Sequence, residues 1–203
     1  MLQTQTVVPE LMELLRKLMK VEAFTSFYLV GGTSLSLQIG HRNSIDIDLF
    51  GSQEIDSDLY VSILNEFGKT EVSKSSKKIL ITDVSGIKVD FVNYRYTLLD
   101  DPIEVDGIRM VSKKDIAAMK LNAIAGRGSK KDFIDLFYLL NEFSMKQMLD
   151  FYLQKYFDGS EFMVLKSLTY FEEAENQPFP KMMKNNFNWE TCKQKIIEET
   201  LKL

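Results

Sequence analysis

Asp46 and Asp48 stand two residues apart in Ile45-Asp46-Ile47-Asp48-Leu49-Phe50, where apolar and polar residues alternate. Alternation of period two marks a strand, and residues two apart on a strand share a face. The two carboxylates therefore share one face, and Ile45, Ile47 and Leu49 share the other. Carboxylates held close together repel each other unless a cation lies between them. Mg²⁺, or Mn²⁺ in its place, takes carboxylate oxygens together with substrate phosphates. The segment Ile87-Lys88-Val89-Asp90-Phe91 repeats the design, with Asp90 polar between apolar neighbours. If it lies beside the first strand, Asp90 becomes a third carboxylate on the same face. Three carboxylates can hold two metal ions, one activating an attacking hydroxyl and one on a triphosphate. An Asp-x-Asp taken alone describes a solvated strand face equally well.

Upstream, Gly31-Gly32-Thr33-Ser34 follows the apolar run Phe27-Tyr28-Leu29-Val30 and opens a predicted helix. Backbone N–H groups at such a turn can cradle phosphates, and the missing Cβ allows close approach. Glycines also serve a plain strand–turn–helix junction. Arg42, between the turn and the acidic strand, could neutralise a phosphate or be ordinary surface. His41 reads as a loop residue, because hard cations prefer oxygen. Lys113, Lys114, Lys120, Arg127, Lys130 and Lys131 form a cationic cluster, and Lys74, Lys77 and Lys78 a second. Each is either an RNA-steering face or a solvated one.

The elements that must position these residues are legible from periodicity and turn signals. A helix opens near Pro9 and carries Leu11, Leu14, Leu15 and Leu18 at helical spacing. A helix over 58–67 follows the acidic strand. Strands are expected over 70–74, 77–83 and 87–93, with Ser85-Gly86 turning the last two into a hairpin. A second hairpin spans 103–111, turning at Asp106-Gly107. Helices are expected over 113–125, 130–143, 145–157, 161–174 and 189–203. The boundary falls near residue 111, giving an α/β domain of 1–111 and a helical domain of 112–203 expected to pack against it. Ser129-Lys130-Lys131-Asp132 has capping-box spacing, and Asp135 stands four residues after Lys131, a pairing distance.

Composition narrows the classes. The chain has 203 residues, 45% of them hydrophobic, enough for a substantial core. A net charge of −4 argues against a general nucleic-acid coat. One cysteine, Cys192, excludes a disulfide framework within one chain, and one histidine leaves catalysis to carboxylates, lysines and hydroxyls. Cys192 reads as core. No apolar run approaches a membrane span, and Met1 to Glu10 lacks the pattern of a signal peptide. A cytoplasmic protein with no membrane partner is expected.

Gly31-Gly32, then thirteen residues, then Asp46-Ile47-Asp48 resembles the signature of the DNA-polymerase-β-like nucleotidyltransferase superfamily. The blocks 29–37 and 43–50, with Lys120-Leu121-Asn122-Ala123 and Lys131-Asp132-Phe133-Ile134-Asp135-Leu136, resemble the AbiEii/AbiGii toxin family. The resemblance implies an α+β fold: a nucleotidyltransferase (polymerase-β-like) mixed sheet flanked by helices, followed by a helical C-terminal half. It implies transfer of NMP from an NTP to a hydroxyl acceptor by a toxin of toxin–antitoxin or phage-defence systems, with tRNA the leading acceptor. By it, Gly31, Gly32, Thr33 and Ser34 bind nucleotide, with Arg42 a candidate by its position between the turn and the strand, and Asp46, Asp48 and Asp90 hold Mg²⁺ or Mn²⁺. Lys120 would lie near the nucleotide phosphates, and Asp132 would be a C-terminal acidic motif residue. An antitoxin partner is expected. A transferase acting on a small molecule, or a non-catalytic module on the same fold, are the alternatives.

Overall fold

The computed structural model describes residues 1–203. The chain divides into two compact units, Met1–Arg95 with Pro102–Val111, and Tyr96–Asp101 with Ser112–Leu203.

The first unit is a mixed sheet with helices. Helix α1 (Pro9–Leu18) has Pro9 in its first turn and buries Leu11, Leu14, Leu15 and Leu18. Strand β1 (Phe27–Leu29) leads into helix α2 (Gly31–Ile39), then strand β2 (Asp46–Gly51) and helix α3 (Ser57–Asn65). Strands β3 (Thr70–Ser76), β4 (Ile79–Val84) and β5 (Ile87–Asn93) form an antiparallel meander. The hairpin β6 (Ile103–Val105) and β7 (Ile108–Met110) completes a seven-stranded sheet of order β3-β4-β5-β2-β1-β7-β6. The β2–β5 and β1–β7 pairings are parallel, and the others are antiparallel. The sheet is therefore mixed, as expected.

One face of this sheet is the core. Ile47, Leu49, Leu80, Val89 and Phe91 are almost fully buried. Phe24 and Tyr60 pack on Phe91, with ring centroids 4.7 and 5.2 Å away. Ile45, expected on this face, is instead 53% exposed, because pairing with β5 begins only at Asp46. Strand β3 runs two residues past its expected end at Lys74. It is a polar, exposed edge with an irregularity between Val72 and Lys74, which blunts it against pairing with other chains.

The second unit is helical. Its elements are α4 (Lys113–Gly126), α5 (Lys130–Leu139), α6 (Met145–Lys155), α7 (Glu161–Leu168), α8 (Glu172–Glu175) and α9 (Trp189–Thr200). Ser112 caps α4 by accepting from Asp115 N–H, and Ser144 and Gln147 form a reciprocal capping box on α6. The single helix expected over 161–174 is two. It breaks at Thr169 to Phe171, where Phe171 turns its ring onto Phe133 (4.8 Å) and Trp189 (6.0 Å). The helix expected to reach Phe143 stops at Leu139, after which Asn141 bonds back to the Tyr138 carbonyl. No helix is long and apolar enough to cross a membrane.

Candidate active site

The register of β2 and β5 builds an acidic face. Asp48 lies opposite Asp90, and Asp46 opposite Lys88. In parallel strands, paired residues point the same way, so all four side chains leave the sheet on one side while Ile47, Leu49, Val89 and Phe91 enter the core. Asp46 and Asp48 are half-buried, and Asp90 is buried. Lys88 Nζ lies 2.6 Å from Asp90 Oδ2. Asp90 Oδ1 is buried with no hydrogen-bond partner. Burial works against the charged form of Lys88, but its hydrogen bond to Asp90 and the charges of Asp90, Asp48 and Asp46 outweigh it and raise its pKa. No three carboxylates are gathered as a ready-made cage. The oxygen donor set and the orphaned Asp90 Oδ1 nevertheless suit a hard divalent cation.

The glycine turn abuts this face. Val30 N–H donates to the Asp48 carbonyl at 2.9 Å, placing the start of α2 beside β2. Gly31 adopts φ 66°, and a Cβ there would lie 2.9 Å from Asp48 Oδ2. A Cβ on Gly32 would collide with the Arg42 guanidinium. Val30, at the N-cap, supplies no side-chain acceptor, so the first-turn N–H groups of α2 have no cap. Thr33 and Ser34 are buried rather than open to solvent. Thr33 Oγ1 donates to the Asp46 carbonyl and lies 2.8 Å from Ser44 Oγ, while Ser34 Oγ accepts from Gln38 Nε2 at 3.1 Å. Their hydroxyls thus tie α2 to its surroundings, and any phosphate contact from these two falls to the backbone. Arg42 is buried beside the turn, with Nη1 donating to the Asn43 carbonyl at 2.9 Å, so the surface reading of it is excluded.

Gly31→Ala is expected to cost about 1–2 kcal/mol of stability from the left-handed backbone alone. It should also displace the Asp48 carboxylate, so activity should fall further than the stability loss explains. Urea unfolding and turnover measured on the same preparation check this. Full activity in a destabilised variant would show that the close approach to Asp48 is incidental.

In the helical unit, Lys120 is buried, which excludes the solvated reading of it. Its Nζ lies 2.9 Å from Asp132 Oδ1 and 2.6 Å from Asp135 Oδ2. Asp135 thus takes Lys120 rather than Lys131. Asp132 also accepts from Arg127 Nε (2.9 Å) and Ser129 Oγ (2.6 Å). Ser129 makes no side-chain cap, so the capping-box reading of Asp132 gives way to an ion-pair network. Burial would raise the Asp132 pKa, but Lys120, Arg127 and Ser129 together hold it well below the usual carboxylate range. The cationic cluster expected over 113–131 is largely neutralised. Lys113 pairs with Glu142, Lys114 with Asp100, and Lys130 is buried against the Glu175 carbonyl and the Phe179 ring. Cys192 is core, its thiol pushed up to about 12 by burial.

A sequence profile described as nucleotidyl transferase AbiEii toxin, type IV toxin–antitoxin system, matches residues 13–201. The chain belongs to the AbiEii family. It is therefore an enzyme of the nucleotidyltransferase class. This AbiEii protein is 38% identical over 173 residues to an uncharacterized protein of Aquifex aeolicus, covering 82% of this chain and 84% of that one. The nucleotidyltransferase toxin MenT4 of Mycobacterium tuberculosis shares its fold, with TM-score 0.61 at 14% identity over 96% of this chain and 83% of that one. JHP933 of Helicobacter pylori does so with TM-score 0.57 at 13% identity, over 95% of this chain and 88% of that one. Lys88 is the residue of the AbiEii acidic face that sequence reasoning passed over. Its parity with Asp90 was the available signal, since both had to share a face.

Proposed function

We propose that this AbiEii enzyme transfers NMP from an NTP to a hydroxyl on tRNA, as a growth-arresting toxin of a phage-defence system in the cytoplasm. The observation that carries the catalytic reading is the β2–β5 register, which sets Asp46, Asp48 and Asp90 on one face beside the Gly31 turn. Asp46, Asp48 and Asp90 would hold Mg²⁺ or Mn²⁺. When bound, such an ion supplies charge neutralisation on the triphosphate and acidifies the acceptor hydroxyl. The uncapped N–H groups of Gly31, Gly32 and Thr33 would bind the triphosphate, with Arg42 behind them. Asp90 would accept the proton of the attacking hydroxyl through Oδ1. Lys120 and Asp132 would form one functional motif within the helical unit, with Asp132 and Asp135 holding the Lys120 ammonium in place. The type IV toxin–antitoxin family implies an antitoxin as partner.

The tRNA reading draws support from the β3–β4 hairpin, where Lys74 and Lys78 are exposed and Lys77 meets only the exposed Glu54, at 3.3 Å. Incubation with labelled NTPs and either total tRNA or small hydroxyl compounds tests it. Label is expected on tRNA. Label on small compounds alone would remove the RNA acceptor while leaving the transferase. The double variant Lys74→Glu/Lys78→Glu should weaken tRNA binding about tenfold or more at low salt and flatten its salt dependence. Unchanged tRNA affinity would take the hairpin out of the acceptor site.

A further inference from the structure

We propose that Lys88 is a built-in counter-cation of the acidic face: it holds Asp90 when no metal is bound and gives it up when a divalent ion arrives. This rests on reading Asp46, Asp48 and Asp90 as the metal site. Lys88 and Asp90 alternate along β5 and so emerge on one face, while Asp46 and Asp48 stand opposite them on β2. The four side chains thus occupy the corners of one patch, three acidic and one basic. The Lys88 ammonium is already 2.6 Å from Asp90 Oδ2, and the other Asp90 oxygen is buried without a partner. One oxygen is held by the lysine, and the second remains for a ligand.

Three carboxylates and one ammonium leave two negative charges, the amount one divalent ion cancels. A lysine in this place does two things. It offsets the like-charge repulsion that would otherwise strain the metal-free protein. It also competes with an incoming cation, both by repulsion and by occupying Asp90 Oδ2. The lysine is not locked in place: its side chain is 46% exposed, on a flexible stem that can swing into solvent once Asp90 has a metal to ligate. Its departure would free both Asp90 oxygens. This accounts for three aligned aspartates that nevertheless do not form a ready-made cage.

Mn²⁺ binding to nucleotide-free protein, followed by electron paramagnetic resonance of the free ion, tests the idea without measuring activity. Lys88→Met should bind Mn²⁺ about tenfold tighter than wild type, because a competing charge a few ångströms away is removed. Lys88→Arg, which keeps the charge, should bind as wild type does. Lys88→Met should also melt at a lower temperature than wild type without metal and regain the difference when Mn²⁺ is added. Equal or weaker Mn²⁺ binding by Lys88→Met would overturn the counter-cation role. Asp48→Ala separates the two readings: its binding should be lost. If it binds Mn²⁺ as wild type does, the ion sits elsewhere, and the metal site itself fails together with the role of Lys88.

Discussion

Asp48→Ala is expected to lower nucleotidyl transfer by at least a hundredfold to a thousandfold while leaving the fold intact, the scale of losing one charge-stabilising group at a reacting phosphorus. Asp48 is half-buried, lies opposite Asp90 and closes against Gly31. Its side chain adds nothing to the apolar face, which Ile47 and Leu49 supply from the same strand. The thermal midpoint should therefore stay near that of wild type, and removing one of three like charges can even raise it. Turnover with each labelled NTP, set beside a melting curve, gives the comparison. In cells, expression of wild type should slow growth and Asp48→Ala should not. Equal turnover by the two proteins with every NTP, or toxicity that survives the substitution, would replace catalysis with a binding mechanism.

The largest stability effect is expected in the helical unit, at Lys155. Lys155 and Asp115 are both completely buried, with Nζ 2.7 Å from Asp115 Oδ1. The same ammonium donates to the Thr97 carbonyl at 2.8 Å. Asp115 also accepts from Leu99 N–H at 3.0 Å and from Ser112 Oγ at 2.8 Å. One ion pair thus fastens the segment Tyr96–Asp101 to helices α4 and α6. Lys155→Ala would leave a buried carboxylate without its counter-charge, at a cost of about 3–5 kcal/mol. The midpoint of urea unfolding should fall accordingly, and amide exchange at Leu99 should quicken. A loss below about 1 kcal/mol, the range of exposed pairs, would mean that water reaches Asp115 in solution.

Much of this is legible in the sequence. Alternation in 45–50 and 87–93 gave both acidic strands, because a half-buried strand must alternate. The glycine pair gave the turn between β1 and α2, because Gly31 is left-handed and crowded by Asp48. Pairing of β2 with β5 was only conditional, since no pattern within a strand names its neighbour. Charge was the least legible property. Lys120, Lys130 and Lys155 look like any surface lysine in one dimension, yet all are buried, each through a partner at least a dozen residues away. The bonds of the Thr33 and Ser34 hydroxyls are illegible for the same reason. These hydroxyls invite a phosphate by type but are taken up by Ser44, Asp46 and Gln38.

The parallel β2–β5 pairing has a consequence for how the protein is made. Asp48 and its partner Asp90 are 42 residues apart, and the intervening α3, β3 and β4 belong to the same unit. Parallel neighbours cannot be joined by a tight turn, so this contact is of long range. A nascent chain that has exposed β2 carries the glycine turn and two of the three aspartates, but neither Asp90 nor Lys88. The acidic face is completed only when β5 has left the ribosome and docked. Any chemistry that needs all four side chains therefore has to wait until most of the first unit has been synthesised.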